Sequence, residues 1–327
     1  MDHKVQSITS IMKILDEAAM STLVDIGALV PHLERAFAGP LEAPPRAHID
    51  LPGVDASTLL LMPAWRTGGN VGVKIVTVDP ARSGRGHHAV NGVYVLLDAD
   101  TGEPAALLGA RTLTATRTAA VAALATSYLA RPDAETLLMA GTGTLAPFLI
   151  RGHAAVRPIH RVLLWGRNGS KAAGLAGHLA AELPHLVFTV AEDLVDAVRS
   201  ANIISCATAS LEPYLPTEAV QPGTHVDLVG SFKPTMKEIA PALVTRAQVF
   251  VDKMDALNES GDLIPALESG ALQVSSVCDL RTLLRHPERR RRDPNAITMF
   301  KAVGMAEADL ASAEFFLDRA TPKSSLS

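Results

Sequence analysis

The sequence predicts an α/β protein built on a parallel sheet, and three observations carry that reading. The apolar run Thr136-Leu-Leu-Met-Ala140 ends in Gly141-Thr-Gly-Thr-Leu-Ala146, after which Leu145, Leu149, Ile150 and His153 recur at helical spacing. Strand, tight glycine turn and helix in that order form the first unit of a Rossmann domain. Gly141 permits the turn, Gly143 lets the backbone approach a pyrophosphate, and Ala146 lets the helix pack close to its strand. Thr142, Thr144 and Leu145 complete the loop, whose amides at a helix N-terminus favour an anion. Second, Arg161-Val-Leu-Leu-Trp165 supplies the next strand, about twenty residues later, as a βαβ unit requires. Third, strand and helix patterns alternate from Glu135 onward, the texture of a parallel sheet.

The end of that second strand bears on the choice of dinucleotide. An NAD site places Asp or Glu there to accept from the ribose hydroxyls. This chain has Gly166-Arg167-Asn168-Gly169-Ser170-Lys171 instead. A carboxylate would repel a 2′-phosphate, whereas a guanidinium can hold it with paired hydrogen bonds. Arg167, Asn168 and Lys171 therefore favour NADPH over NADH. The competing reading makes Arg167 and Lys171 ordinary solvated charges at a loop and a helix start.

Taken in order, the elements divide the chain near residue 131. A helix is expected over 25–37, with Leu29, Leu33 and Phe37 on one face and Gly39-Pro40 as its stop. Strand-like runs follow at 57–62, 71–78 and 92–97. The turn signal Asp98-Ala-Asp-Thr-Gly102 joins the last of these to 104–108 as a hairpin. An Ala-rich helix over about 112–129 closes the segment, and Arg131-Pro132-Asp133 reads as a hinge. Further strands are expected at 136–140, 161–165, 186–190, 203–207, 225–229 and 249–251, with one helix capped by Asp193. The pattern ends near Ala296, and 297–327 reads as a last segment with a helix from about Ala306. Three regions result: 1–131, the dinucleotide-binding 132–296, and the tail 297–327.

Composition narrows the class. The chain has 327 residues, 48% of them hydrophobic, and a formal net charge of -4, with mean hydropathy +0.20. Those values suit a compact cytoplasmic enzyme with a sizeable subunit interface, and offer no general attraction to nucleic acid or anionic membrane. Cys206 and Cys278, the only cysteines, match no metal or disulfide spacing, so no metal is expected. The start of the chain lacks an apolar stretch behind a basic end, and no apolar run reaches the length of a membrane span. The basic run Arg289 to Arg292 has no interleaved aromatics and reads as a solvated loop.

Several ordered motifs carry a resemblance. They are Arg46, Met62-Pro-Ala64, Gly72-Val-Lys-Ile75, Leu97-Asp-Ala-Asp-Thr-Gly-Glu-Pro104 and Leu113-Thr-Ala-Thr-Arg-Thr-Ala-Ala120. Gly141-Thr-Gly143, Glu259-Ser-Gly-Asp262 and Thr298-Met-Phe-Lys-Ala-Val-Gly304 follow. Together they resemble the ornithine cyclodeaminase/μ-crystallin family over nearly the whole chain. The resemblance implies a homodimer whose N-terminal α/β substrate and dimerisation domain is completed by the C-terminal tail. It also implies a Rossmann domain inserted between them, with the substrate pocket between the two domains. Family positions carry over as Arg46, Lys74 and Arg117 on the substrate. On the cofactor side, Cys206, Ala207 and Thr208 follow the fourth Rossmann strand, where small residues pass the nicotinamide riboside. Gly230, Ser231, Val303 and Gly304 are also expected at the cofactor, and Thr118 could bond the cofactor or face the core. Leu145 departs from the family, which commonly has Gln there, so any contact made by that side chain is lost.

The family contains cyclodeaminases, imino-acid reductases, alanine dehydrogenases and a crystallin that binds thyroid hormone. Its cyclodeaminases have a catalytic Asp in Gly-Ala-Asp-x-Pro after the fifth Rossmann strand. This chain reads Gly230-Ser231-Phe232-Lys233-Pro234, and Phe232 has no proton to give or take. The expected activity is therefore NADPH-dependent reduction of a cyclic imino acid. The expected substrate is Δ1-pyrroline-2-carboxylate, or the six-membered Δ1-piperideine analogue, with proline or pipecolate as product. Amino-acid dehydrogenase, cyclodeaminase and crystallin-like binder are the alternatives. Glu238 is expected on a following helix, without a role. Lys74 in an apolar strand fits either a functional lysine of lowered pKa or a strand-edge lysine with its head in solvent. Arg117 on an Ala-rich helix fits either a carboxylate clamp or a water-facing charge. His87 and His88, after Gly84-Arg85-Gly86, read as turn residues, and Cys206 as a small buried side chain.

Overall fold

The computed structural model describes residues 12–51, 57–79, 82 and 86–321. By contacts the chain forms two compact units: Met1–Val24 with Gly39–Thr114 and Asp309–Ser327, and Asp25–Ala38 with Ala115–Ala308.

The first unit begins with β1 (Lys13–Leu15) and α1 (Glu17–Leu23), whose N-cap Asp16 accepts from the Ala19 amide. The chain then makes α2 (Ile26–Ala38), part of the second unit, before returning as β2 (Leu41–Glu42), β3 (Ala47–Asp50), β4 (Thr58–Arg66), β5 (Val71–Val78), β6 (Val90–Leu97) and β7 (Pro104–Gly109). These seven strands form one sheet in the order β1-β7-β6-β5-β4-β2, with β3 also on β4. All its pairs are antiparallel except β1 with β7.

Strand alternation gives this sheet two distinct faces. Paired positions Met62, Lys74, Tyr94 and Leu108 share the covered face and are buried. The opposite face carries the row Ala47, Leu61, Ile75 and Val93 and the row Pro63, Val73, Val95, Leu107 and Ile14. Ile14, Ile49, Ile75 and Val93 are exposed there.

Helix α3 (Ala110–Leu129) leads into the second unit. There β8 (Thr136–Ala140), α4 (Ala146–Val156), β9 (Arg161–Trp165), α5 (Gly169–Glu182), β10 (Val187–Val190), α6 (Leu194–Ser200), β11 (Ile203–Cys206) and β12 (His225–Leu228) alternate. Then come α7 (Pro241–Val244), β13 (Ala247–Val251), α8 (Ala256–Glu259), α9 (Ile264–Glu268), β14 (Cys278–Asp279), α10 (Leu280–Arg285), β15 (Ile297–Lys301) and α11 (Ala306–Ala320). The sheet has eight strands in the order β10-β9-β8-β11-β12-β15-β13-β14, every pair parallel. Strands β11, β12 and β15 are buried at every residue, as parallel strands covered by helices are, whereas the edge strand β10 is half-exposed. The chain leaves β8 toward β9 and β10 and returns on β8's other side at β11. The topological switch point therefore lies beyond the C-terminal ends of β8 and β11, where open α/β sheets bind ligands. Asp193 caps α6 by accepting from the Asp196 amide, as expected.

Three features differ from the sequence reading. The stretch 297–301 is not the start of a separate tail: β15 lies between β12 and β13, and all five of its residues are buried. The contact division falls inside α3, at 114/115, not at 131/132. Almost every residue of α3 is buried, so no polar stripe in its sequence marks which part packs where. Helix α2 packs on α4 and α10 and so belongs with the second unit, although it precedes the first sheet. Among the described residues no helix is long and apolar enough to cross a membrane.

Candidate functional site

The glycine loop after β8 is built by sterics. Gly141 has φ +129, and its amide donates to the Trp165 carbonyl oxygen at 2.8 Å. A Cβ there would lie 2.6 Å from the Ala207 carbonyl oxygen, so this position needs glycine for its conformation and for the approach of the β11 loop. Gly143 is the converse: a Cβ there would meet nothing within 4 Å, and Gly143 and Thr144 are exposed. Thr142 and Leu145 are half-buried and Ala146 is buried at the start of α4. Leu145, the N-cap, makes no side-chain cap, so α4 presents its positive end uncapped by a side chain. An open backbone loop against an uncapped N-terminus fits a dinucleotide pyrophosphate. At the end of β9, Arg167, Asn168 and Lys171 are all exposed. The Asn168 side-chain oxygen is committed to capping α5, accepting from the Lys171 amide at 3.0 Å.

On the other side of the switch point, one buried acid organises the loops after β11 and β12. Glu238 accepts from the Thr208 amide and hydroxyl, each at 2.8 Å, from the Gly230 amide at 2.9 Å and from the Tyr214 hydroxyl at 3.3 Å. It lies in a loop rather than on a helix, which corrects the sequence reading. Burial raises its pKa, and the Lys301 ammonium opposes that. Asp262 in turn accepts from the Glu238 amide at 2.6 Å and from Lys301 at 3.2 Å. Glu238, Asp262 and Lys301 are fully buried, and a buried charge is tolerated only in such a paired, hydrogen-bonded setting. Sequence reasoning missed this trio. The signal available was charged residues inside otherwise apolar stretches. Ser231 is buried and donates to the Met236 carbonyl, and Phe232 packs half-buried against the core. Cys206 is buried and desolvation pushes its thiol well above the usual range, consistent with a packing residue.

Arg117 is buried within the second unit, at 6% exposure, so the water-facing reading fails. A Cβ on Gly304, at φ +93, would lie 2.9 Å from its guanidinium. Asp252 fixes that segment by accepting from the Val303 amide at 3.0 Å and the Gly304 amide at 2.7 Å. Thr118, next to Arg117, is buried.

In the first unit, Lys74 is 1% exposed. Its Nζ lies 2.9 Å from Asp309 Oδ1 and 2.7 Å from Oδ2, on α11. It is therefore neither at a strand edge nor in solvent. The register sets it between Met62 on β4 and Tyr94 on β6. Tyr94 is fully buried, and burial with the Asp309 and Glu314 charges raises its hydroxyl pKa well above the ordinary value. Arg46 is half-buried just before β3. Its neighbour Ala47 pairs with Leu61, so Arg46 stands level with Met62 and Lys74 across the sheet.

The remaining candidates sort simply. His87 and His88 are exposed, while Gly84 and Arg85 lie outside the described residues. The basic run is only partly solvated. Arg291 donates to the carbonyls of Leu129, Ala296 and Thr224 and to the Thr298 hydroxyl, and Arg290 lies 4.1 Å over the Tyr128 ring. Those two hold their unit together, and Arg289 and Arg292 remain exposed.

The ornithine cyclodeaminase/mu-crystallin family model matches residues 4–324. A Delta(1)-pyrroline-2-carboxylate reductase of Paracoccus denitrificans is 38% identical over 266 residues, 80% of this chain and 84% of that protein. One of Colwellia psychrerythraea is 32% identical over 316 residues, covering 94% and 99%. The solved structure of the Thermococcus litoralis Delta(1)-pyrroline-2-carboxylate reductase, with NADH and L-proline, has TM-score 0.90 at 27% identity, covering 94% and 97% of the two chains. With the family model spanning nearly its whole length, and with a Rossmann sheet, glycine cradle and buried lysine in place, this chain belongs to the ornithine cyclodeaminase/mu-crystallin family.

Proposed function

We propose that this protein is a Δ1-pyrroline-2-carboxylate reductase that forms L-proline and prefers NADPH to NADH. Its broader class, a nicotinamide-dependent oxidoreductase acting on C=N bonds, follows from the reductases it resembles along most of its length. The observation that carries the choice of reaction is Phe232. A cyclodeaminase needs an acid after β12 to manage the protons of ammonia loss and ring closure, and a phenyl ring packed on the core supplies none. Reduction of a preformed imine needs no such group.

When bound, the nicotinamide supplies the hydride that the ring carbon of the imine receives. The protein's own residues do the rest. Arg46, Lys74 and Arg117 are the cations we assign to the substrate: they hold its carboxylate and position the ring, and the Lys74 ammonium would donate a proton to the imine nitrogen as the ring carbon receives hydride. Lys74, desolvated and fixed by Asp309, is the best placed of the three to act at a defined angle. The loop 141–146 and the start of α4 would hold the pyrophosphate, and Thr208 and Gly230, tied by Glu238, would border the nicotinamide riboside. Arg167 and Lys171, exposed with no acid between them, are assigned to the 2′-phosphate, which is the basis for preferring NADPH. The six-membered Δ1-piperideine-2-carboxylate carries the same carboxylate and imine and is a second substrate of the proposal.

The open face of the first sheet supports a homodimer. Ile14, Ile49, Ile75 and Val93 are exposed on a face otherwise lined by Leu59, Leu61, Pro63, Val73, Val95 and Leu107. An apolar sheet face of that extent calls for a partner, and a second copy offers the same chemistry.

The test is direct. Purified protein is mixed with pyrroline-2-carboxylate and either NADPH or NADH, absorbance loss is followed, and proline is quantified. Turnover with a larger kcat/KM for NADPH is expected, with no ammonia released from ornithine. Inactivity on the imine alongside reduction of pyruvate with ammonia would replace the proposal with alanine dehydrogenase.

A further inference from the structure

Lys74 does not stand alone on the covered face. Its ammonium meets both oxygens of Asp309, and neither side chain is open to solvent, at 2% and 0% exposure. Asp309 lies in the first turns of α11, a helix tied to the same sheet again farther along. Arg66 reaches Glu314 at 2.7 Å and Asn70 reaches it at 3.2 Å, and Lys13 donates to the Thr321 hydroxyl at 2.6 Å. Tyr94 on β6 feels the charges of both Asp309 and Glu314, and Arg66 pairs with Glu314.

A lysine on a strand has four rotatable bonds and no intrinsic direction. Two contacts from one carboxylate supply that direction. They also set an opposite charge against an ammonium that burial has stripped of water. The segment that carries Asp309 begins just after Gly304, whose amide is held by Asp252 and whose Cα lies against Arg117 within the second unit.

We infer that Asp309 is a positioning residue for Lys74, fixing the direction and charge of its ammonium so that the chemical step depends on α11. The inference rests on the reading that Lys74 acts on the imino acid. Asp309 itself touches no substrate in this scheme. A carboxylate serving only to neutralise a buried lysine would affect stability and leave the chemistry of folded protein unchanged. A positioning carboxylate sets kcat.

The experiment compares wild type, Asp309→Asn and Asp309→Glu in steady-state reduction of pyrroline-2-carboxylate, with NADPH dissociation constants from fluorescence titration and melting temperatures for each. Asp309→Asn keeps the shape and one acceptor but loses the charge. We expect its kcat to fall at least about tenfold, a cost near 1.4 kcal/mol, with NADPH binding within about twofold. Asp309→Glu restores the charge one methylene out of place, and should recover part of the loss. Wild-type kcat in folded Asp309→Asn would overturn the inference, as would failure of both variants to fold, which would leave Asp309 a purely stabilising partner. Wild-type protein inactive on the imine would instead remove the functional reading on which the inference stands.

Discussion

At the scale of single residues, the chemistry is a matter of where charge is allowed. Arg167 and Lys74 are opposite cases. Arg167 is exposed at the end of β9 and free to meet a ligand phosphate. Replacing it with Asp should lower the NADPH over NADH ratio of kcat/KM by at least about tenfold, because a guanidinium clamp is exchanged for a ribose acceptor that repels phosphate. Equal use of the two cofactors by wild type would remove the basis for that assignment. Lys74 is buried and paired. Lys74→Met keeps length but removes charge and proton, so kcat should fall by about 10²- to 10⁴-fold while KM rises. It also strands the Asp309 carboxylate, and breaking a buried pair costs about 3–5 kcal/mol. The kinetics therefore need to be taken well below the variant's melting temperature. Near wild-type kcat/KM would place the lysine outside the site.

At the scale of elements, the proposed cofactor site is the set of loops leaving the C-terminal ends of β8, β9, β11 and β12, and their spacing is set by contacts that only small groups can make. Gly230 is the tightest example. A Cβ there would lie 2.2 Å from the Thr208 carbonyl oxygen, 2.4 Å from its amide and 2.5 Å from Glu238 Oε1. Gly230→Ala must push the two loops apart and break the Glu238 bridge. Overpacking of this kind costs about 1–3 kcal/mol, so the melting temperature should drop. Nicotinamide-cofactor binding, read by fluorescence titration, should weaken together with it. A variant with unchanged stability and affinity would show that the bridge has slack. The loop after β8 and the second strand were legible in the sequence because turn chemistry and period are local. Glu238 was not, because its role comes from partners in other loops, Thr208 and Tyr214 at 30 and 24 positions away and Gly230 across a turn.

At the scale of the whole molecule, each unit solves its own burial problem except on one face. The parallel sheet is covered on both sides along its central strands, whereas the first sheet leaves Ile75 and Val93 paired and exposed in the centre of an apolar surface. Ile75→Asp should convert a dimer to monomer in size-exclusion chromatography with light scattering, because a carboxylate cannot be buried against a second apolar sheet without a partner. A wild-type protein that is monomeric at all accessible concentrations would refute the dimer. The same alternation that exposes Ile75 buries Lys74, so a one-residue slip of β5 would exchange them.

The sequence by itself determined the Rossmann unit, the positions of its first five strands, the glycine cradle and the base in place of an acid at Arg167. Each is a local pattern of side-chain period, turn chemistry or charge, and local patterns survive in one dimension. Tertiary structure alone decided that 297–301 enters the sheet between β12 and β13, that Arg117 is buried, that Arg290 and Arg291 are structural, and that Lys74 is held by Asp309. Those outcomes depend on residues brought together from distant parts of the chain, 235 positions apart for Lys74 and Asp309. The desolvation that makes such a pair consequential exists only once both groups are buried.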